Sequence, residues 1–117
     1  MPGTTADVLT HHLESIGSGN LEEVMSDYTE ESLLYTPFGP MKGIDAIREL
    51  FTGLLAEFSK PGMTFEMIRQ DVDGDTAYIV WSAETADNVY EVASDTFFIQ
   101  DGAIACQSFC AKIVPKV

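Results

Sequence analysis

The sequence predicts an α+β domain: helices come first and an antiparallel sheet comes last. Two observations predict it. Up to Phe58 the apolar residues recur mainly at helical spacing, and from Met63 onward β-branched and aromatic residues dominate four runs. Those runs are joined by turn clusters too short to hold a crossover helix, so the strands must meander antiparallel. At 117 residues the chain is one domain spanning 1–117, long enough to bury a single sizeable core.

Thr4 or Thr5 can cap a first helix, in which Leu9, His12, Leu13 and Ile16 share a face before Gly17 ends it. His12 therefore lies on the apolar face, and His11 lies beside it toward water. Asn20 followed by Glu23 reads as a capping box for a short second helix whose face is Leu21, Val24, Met25 and Tyr28.

Leu33 to Thr36 is a short apolar strand. Pro37 to Gly43 is read as one turn, because two prolines and two glycines fall within those seven residues. A third, strongly amphipathic helix follows from Ile44 through Ile47, Phe51 and Leu55 to Phe58, and Pro61-Gly62 stops it. The four long strands are Met63 to Val72, Thr76 to Thr85, Val89 to Gln100 and Ala103 to Val114. Such a sheet must curl around the helices to bury both apolar surfaces. Its other face still carries apolar groups, Trp81 or Phe98 according to register, and is expected to pair with a second copy as a homodimer.

Charge excludes some partners. With 19 Asp and Glu against 6 Lys and Arg, the formal net charge is −13, and the cations are scattered along the chain. That field repels phosphate backbones and anionic lipid, so neither nucleic acid nor membrane is expected as a partner. No apolar run is long enough for a bilayer and no leader pattern precedes the first helix, so a soluble cytoplasmic protein is expected. Cys106 and Cys110, four apart in one strand, stand roughly 13 Å from each other, too far for a disulfide, and read as two buried free thiols.

No phosphate-binding glycine loop, CxxC, HExxH or GxSxG occurs, and neither a metal nor an organic cofactor is expected. The remaining candidates are polar residues at positions the pattern buries. Alternation places Asp95 with Ala93, Phe97 and Ile99 on one face. On a concave face its carboxyl would hold its proton toward neutral pH and serve as an acid or donor; otherwise it meets water or caps a turn. His12 could face it across a cavity as an oriented base, or be a core histidine bonded to a backbone carbonyl. Tyr28, Tyr35 and Tyr78 are possible hydroxyl donors at a pocket edge, and Glu84 and Glu91 are further carboxylates in the sheet.

Element order together with Tyr28-Thr29-Glu30-Glu31-Ser32, Thr36-Pro37-Phe38-Gly39 and the run Gly43 to Phe51 resembles the nuclear transport factor 2-like (NTF2-like) superfamily, in its SnoaL-like and ketosteroid isomerase-like branch. The resemblance implies a cone, with three N-terminal helices packed in a strongly curved antiparallel sheet (the cystatin-like α+β roll) around an apolar pocket, and often a dimer through the sheet. It also implies a small apolar molecule as ligand. Tyr28, Tyr35, Thr36, Phe51, Tyr78 and Phe97 are then the candidate ligand contacts, and Asp95 and His12 the catalytic candidates. Ketosteroid isomerase uses an Asp base with a Tyr and a protonated Asp as oxyanion donors. By ungapped alignment the protonated Asp falls on Asp95, the Tyr on His12 and the base on Thr36. A threonine hydroxyl does not ionise near neutral pH, so steroid isomerisation by that route is not expected. An isomerase, cyclase or lyase reaction without cofactor, or a non-catalytic binding module, are the functions that follow.

Overall fold

The computed structural model describes residues 4–116 as three helices followed and partly interrupted by six strands. Helix α1 (Thr5–Gly17) starts at Thr4, whose hydroxyl accepts from the Asp7 amide while the Asp7 carboxylate accepts from the Thr4 amide. This reciprocal cap satisfies two amides that the helix cannot. Helix α2 (Leu21–Met25) is capped by the Asn20 side chain alone; the expected return bond from Glu23 is not made, because the Glu23 carboxylate is engaged by His11.

Strand β1 (Leu33–Thr36) pairs antiparallel with β2 (Gly39–Lys42), which leads directly into α3 (Gly43–Phe58). The stretch read as one long turn is therefore a hairpin whose turn is Pro37-Phe38, closed by the Thr36 hydroxyl, which donates to the Gly39 carbonyl and accepts from the Phe38 amide. Gly43 adopts φ +87, and a Cβ there would stand 3.4 Å from the Glu30 carbonyl oxygen, so the strand-to-helix junction requires glycine.

The remaining strands, β3 (Thr64–Asp73), β4 (Thr76–Glu84), β5 (Asn88–Gln100) and β6 (Ala103–Pro115), follow as the meander that the short turns demand. Asp101 and Gly102 both take positive φ, 54° and 76°, the geometry that matches a two-residue hairpin to the twist of its strands. The sheet order is β2-β1-β6-β5-β4-β3. Six strands, not four, make the sheet, and β1 joins β6 in parallel, the single departure from antiparallel pairing.

Three bulges interrupt the pairing. They leave Ile68 in β3, Glu91 in β5 and Ala105 in β6 without a partner and bend the sheet. They also shift side-chain parity: Tyr90 and Ala93 both face inward though three apart, as do Ile104 and Gln107. Leu9, Val24, Leu34, Ile47, Phe97 and Ile104 are almost wholly buried between the concave face and the helices. Glu57, near the end of α3, accepts from Thr85 (2.6 Å), Asn88 (2.9 Å) and Tyr90 (3.0 Å), which fixes that helix end to the β4-β5 turn.

The convex face carries Tyr78 and Phe98, while Trp81 points inward. The register decides this: Trp81 pairs with inward Ala93, and Phe98 pairs with outward Cys106. Cys106 and Cys110 lie on the convex side and are free; Cys106 is half-buried and Cys110 exposed, so they are not the two buried thiols expected. Among the described residues, no helix is long and apolar enough to cross a membrane.

Ile47 is fully buried and Ile68, on its bulge, is 54% exposed. Ile47→Ala should cost about 2–5 kcal/mol in urea unfolding, and Ile68→Ala no more than about 0.5 kcal/mol. Equal losses at the two positions would refute this assignment of the core.

Candidate functional site

Between the helices and the concave face lies a cavity of about 350 Å³. Its walls are apolar and aromatic, with Leu50, Phe51 and Phe58 from α3 facing Ile79, Phe97 and Phe109 from the sheet. Exposed residues at Gly17 to Gly19, Ser59, Met63 and Phe65 mark its mouth. Among the described residues no Lys or Arg lines it. The polar groups in its walls are few, and Asp95, Gln107, the Trp81 indole nitrogen and His12 are the ones able to act on an occupant.

Asp95 stands on β5 facing the cavity, with both carboxylate oxygens already supplied with donors. Trp81 Nε1 donates to Oδ1 at 2.9 Å, and Gln107 Nε2 donates to Oδ2 at 2.9 Å. The Gln107 amide is held in that sense by Tyr28, whose hydroxyl donates to Gln107 Oε1 at 2.5 Å. Burial pushes the Tyr28 hydroxyl well above its usual range, so it remains a donor. A donor at Tyr28 requires the amide oxygen on its side and the amide NH2 toward Asp95.

Burial is also the largest influence on Asp95, raising its pKa above that of a surface carboxylate. The bonds from Trp81 and Gln107 and the nearby His12 oppose the rise without cancelling it. Asp95 is thus a carboxyl that holds its proton longer than usual, with two donors in place to receive the charge once the proton leaves.

His12 is buried edge-on to three rings, Tyr28 at 5.7 Å, Phe51 at 5.7 Å and Phe97 at 5.5 Å. It is not bonded to a backbone carbonyl. Its Nδ1 is fully buried and has no hydrogen-bond partner among the described residues, although Asp27 Oδ2 lies 3.4 Å away in a misaligned position. Nε2 makes no protein hydrogen bond among the described residues, and His12 lines the cavity. His11 is half-exposed and ion-paired: Nδ1 meets Asp27 at 2.8 Å and Nε2 meets Glu23 at 2.8 Å. Those two bonds, Glu23 first, raise its pKa.

Of the other sequence candidates, Phe51 and Phe97 line the cavity, and Tyr28 acts behind it through Gln107. Tyr35 and Tyr78 do not reach it; they are 49% and 40% exposed because alternation turns both to the convex face. Thr36 is spent on the hairpin turn and lies outside the cavity. Glu84 and Glu91 do not line it either. Sequence reasoning missed Gln107, the inward sense of Trp81, and Asp27. Gln107 was findable, since it alternates with Phe109, Ala111 and Ile113 as the one polar member of an apolar face. Among the described residues no cluster of three or more His, Cys, Asp or Glu is arranged to hold a metal ion.

N-terminal helices packed on the concave face of a curved six-stranded sheet define the class: an NTF2-like α+β fold. The chain belongs to the SnoaL-like domain family, whose family model matches residues 9–107. It is similar in fold to SalBIII, an epoxide hydrolase/cyclase-like enzyme of pyran ring formation in the polyether salinomycin, at TM-score 0.79 and 16% identity over 96% of this chain and 95% of that one. A candidate ketosteroid isomerase from Kribbella flavida matches at TM-score 0.75 and 14% identity, over 97% and 81% of the two chains. A candidate polyketide cyclase from Sinorhizobium meliloti matches at 0.72 and 16%, over 88% and 93%. At such identities the likeness is one of fold. No curated protein matches the sequence.

The Trp81 bond can be tested through linkage. Asp95 has a folded-state pKa above its unfolded value, so its burial costs stability once the pH exceeds the unfolded value, and the Trp81 donor offsets part of that cost. Trp81→Phe should destabilise by about 1–3 kcal/mol at neutral pH, and the loss should shrink as the pH falls and Asp95 takes up its proton. Denaturant melts across that range read the effect, and a loss independent of pH would mean that only packing was removed.

Proposed function

We propose that this protein is a cofactor-free enzyme that moves protons on a small, neutral, mostly apolar carbonyl compound, in an isomerase, cyclase or lyase type of reaction. The observation that carries this reading is the pairing of a proton-retaining carboxyl, Asp95, with an imidazole, His12, in the wall of one apolar cavity. A cavity of about 350 Å³ that opens at one end suits a small organic molecule. With no Lys or Arg among the described residues of its wall, the cavity favours a neutral occupant over a carboxylate or phosphate.

In this scheme His12 takes a proton from the carbon beside the carbonyl while Asp95 gives its proton to the carbonyl oxygen. An enol, an imidazolium and a carboxylate result, and no electron leaves the system. The Trp81 and Gln107 donors stabilise the carboxylate, Asp27 the imidazolium. As the carbonyl re-forms, the enol proton returns to Asp95 and the imidazolium gives up its proton: to a different carbon, which isomerises the compound; to the oxygen of a second carbonyl whose C=O bond opens as the enol carbon attacks it, which closes a ring; or to a β-hydroxyl whose C–O bond breaks, which leaves as water. Thr36, remote from the cavity, has no part.

The expected outcome is that the protein accelerates deuterium uptake beside the carbonyl of small cyclic ketones and enones. Asp95→Asn should lower that rate by about 10²–10⁴-fold while the fold persists by circular dichroism. Full activity in the variant removes Asp95 from the mechanism. Tight binding of such ketones by both proteins, with exchange by neither, supports a non-catalytic ligand-binding module in its place.

The convex face favours a partner of the same kind. Tyr78 and Phe98 stand there exposed among Ser94, Thr96 and Ser108, a mixed surface with little charge in a chain of net charge −13. This is the face read as the seat of a second copy. Sedimentation velocity should give a dimer for the native chain and a monomer for Tyr78→Glu; a native monomer at high concentration would end this reading.

A further inference from the structure

Behind the cavity wall the two histidines of α1 converge on Asp27, a residue the reaction scheme above uses only as a counter-charge. Asp27 follows α2 and is buried. Its backbone is fixed on both sides: the Ile104 amide donates to its carbonyl at 2.7 Å, and its own amide donates to the Val24 carbonyl at 3.2 Å. A buried carboxylate needs partners, and His11 is the close one, with Nδ1 at 2.8 Å from Oδ1 and 3.0 Å from Oδ2. His11 also bonds Glu23 through its other nitrogen. A ring with a carboxylate on each nitrogen must carry a proton on each, so His11 sits as an imidazolium and closes the cluster toward solvent.

That leaves the inner side of the carboxylate. Oδ2 stands 3.4 Å from Nδ1 of His12, the one fully buried side-chain nitrogen or oxygen without a hydrogen-bond partner among the described residues. A lone pair on Nδ1 would face a fixed negative charge at that distance; an N–H would face an acceptor. The electrostatics select Nδ1–H. The other ionisable groups near His12 do not reverse the choice. Tyr28 meets the ring edge-on, with its hydroxyl committed to Gln107, and Asp95, which also lines the cavity, has its two oxygens engaged by Trp81 and Gln107. From α3 it is the apolar Phe51 that packs on the ring.

We propose that Asp27 is a positioning residue that holds the proton of His12 on Nδ1, so that Nε2 presents its lone pair to the cavity as the proton acceptor, with His11 clamping Asp27 from the solvent side. The role of Nε2 rests on the reaction proposed above; the tautomer does not. When Nε2 takes a proton from the occupant, the imidazolium charge forms against Asp27, and the 3.4 Å contact needs only a tilt of the ring to become a hydrogen bond. The proton leaves Nε2 for another atom of the occupant, which restores the neutral ring. The cost of burying Asp27 is thus tied to a function that the cavity face alone does not reveal.

The test needs no substrate. Long-range ¹H–¹⁵N correlation spectra of the full-length labelled protein, taken where the imidazole is neutral, report which ring nitrogen carries the proton. The chain holds two histidines, so His11→Gln assigns the signals of His12. The expected native spectrum shows His12 protonated on Nδ1, and Asp27→Leu moves the proton toward Nε2. A native His12 protonated on Nε2, or an Asp27→Leu variant with the native tautomer, overturns the proposal; should that variant not fold, the native spectrum still decides. Nδ1–H in a protein that exchanges no ketone protons would keep the dyad and reject the reaction, so the two failures are separable.

Discussion

The carboxylate of Asp95 inside an apolar cone is the constraint on which the rest of the structure depends. A charge or an acid placed there is costly unless donors are built around it, and those donors must come from elements distant in sequence. Trp81 on β4 and Gln107 on β6 flank it from both neighbouring strands, and Tyr28, beyond α2, orients Gln107. The network therefore locks the register of β4, β5 and β6. A slip by one residue would turn Asp95 outward and leave an indole, an amide and a phenol buried without partners.

Curvature makes room for that network. The bulges at Glu91 and Ala105 bend the two longest strands and let extra side chains face inward, Tyr90 with Ala93 and Ile104 with Gln107. Without the Ala105 bulge, strict alternation would place Gln107 on the face opposite Ile104, and one of the two would be lost from the interior. Tyr90 then reaches Glu57, so the same device that opens the cone also fastens the far end of α3. The cavity is held between two polar clamps rather than by apolar packing alone.

A second charged group, Asp27, sits between His11 and His12 behind the cavity wall. The two carboxylates differ in what they face. Asp95 is surrounded by neutral donors, and burial raises its pKa; Asp27 is bonded to an imidazolium that reaches solvent through Glu23. In a chain so acidic overall, both histidines are spent on this one cluster.

The sequence by itself determined the order of the helices and of the long strands, the N-terminal helix caps and the turns of the meander, because these depend on local chemistry: Thr4 and Asn20 as caps, Gly43 and Gly102 where φ is positive, and the spacing of apolar residues from Ile44 to Phe58; strand β2, inside a stretch rich in proline and glycine, it did not show. It also placed Asp95 with Phe97 and Ile99, since no bulge interrupts β5 between Ala93 and Phe98. Register, by contrast, is a relation between strands, and it alone turned Trp81 inward and sent Tyr35 and Tyr78 to the convex face. Bulges break the alternation on which a sequence argument relies, so Ile104 and Gln107 share the inner face although they are three apart in sequence. Asp27 escaped notice because its partners are two adjacent histidines on another helix, brought to it by the packing of α1 on the loop after α2. Local propensity writes the elements of this protein; long-range hydrogen bonding across a bent sheet decides which polar groups share its cavity.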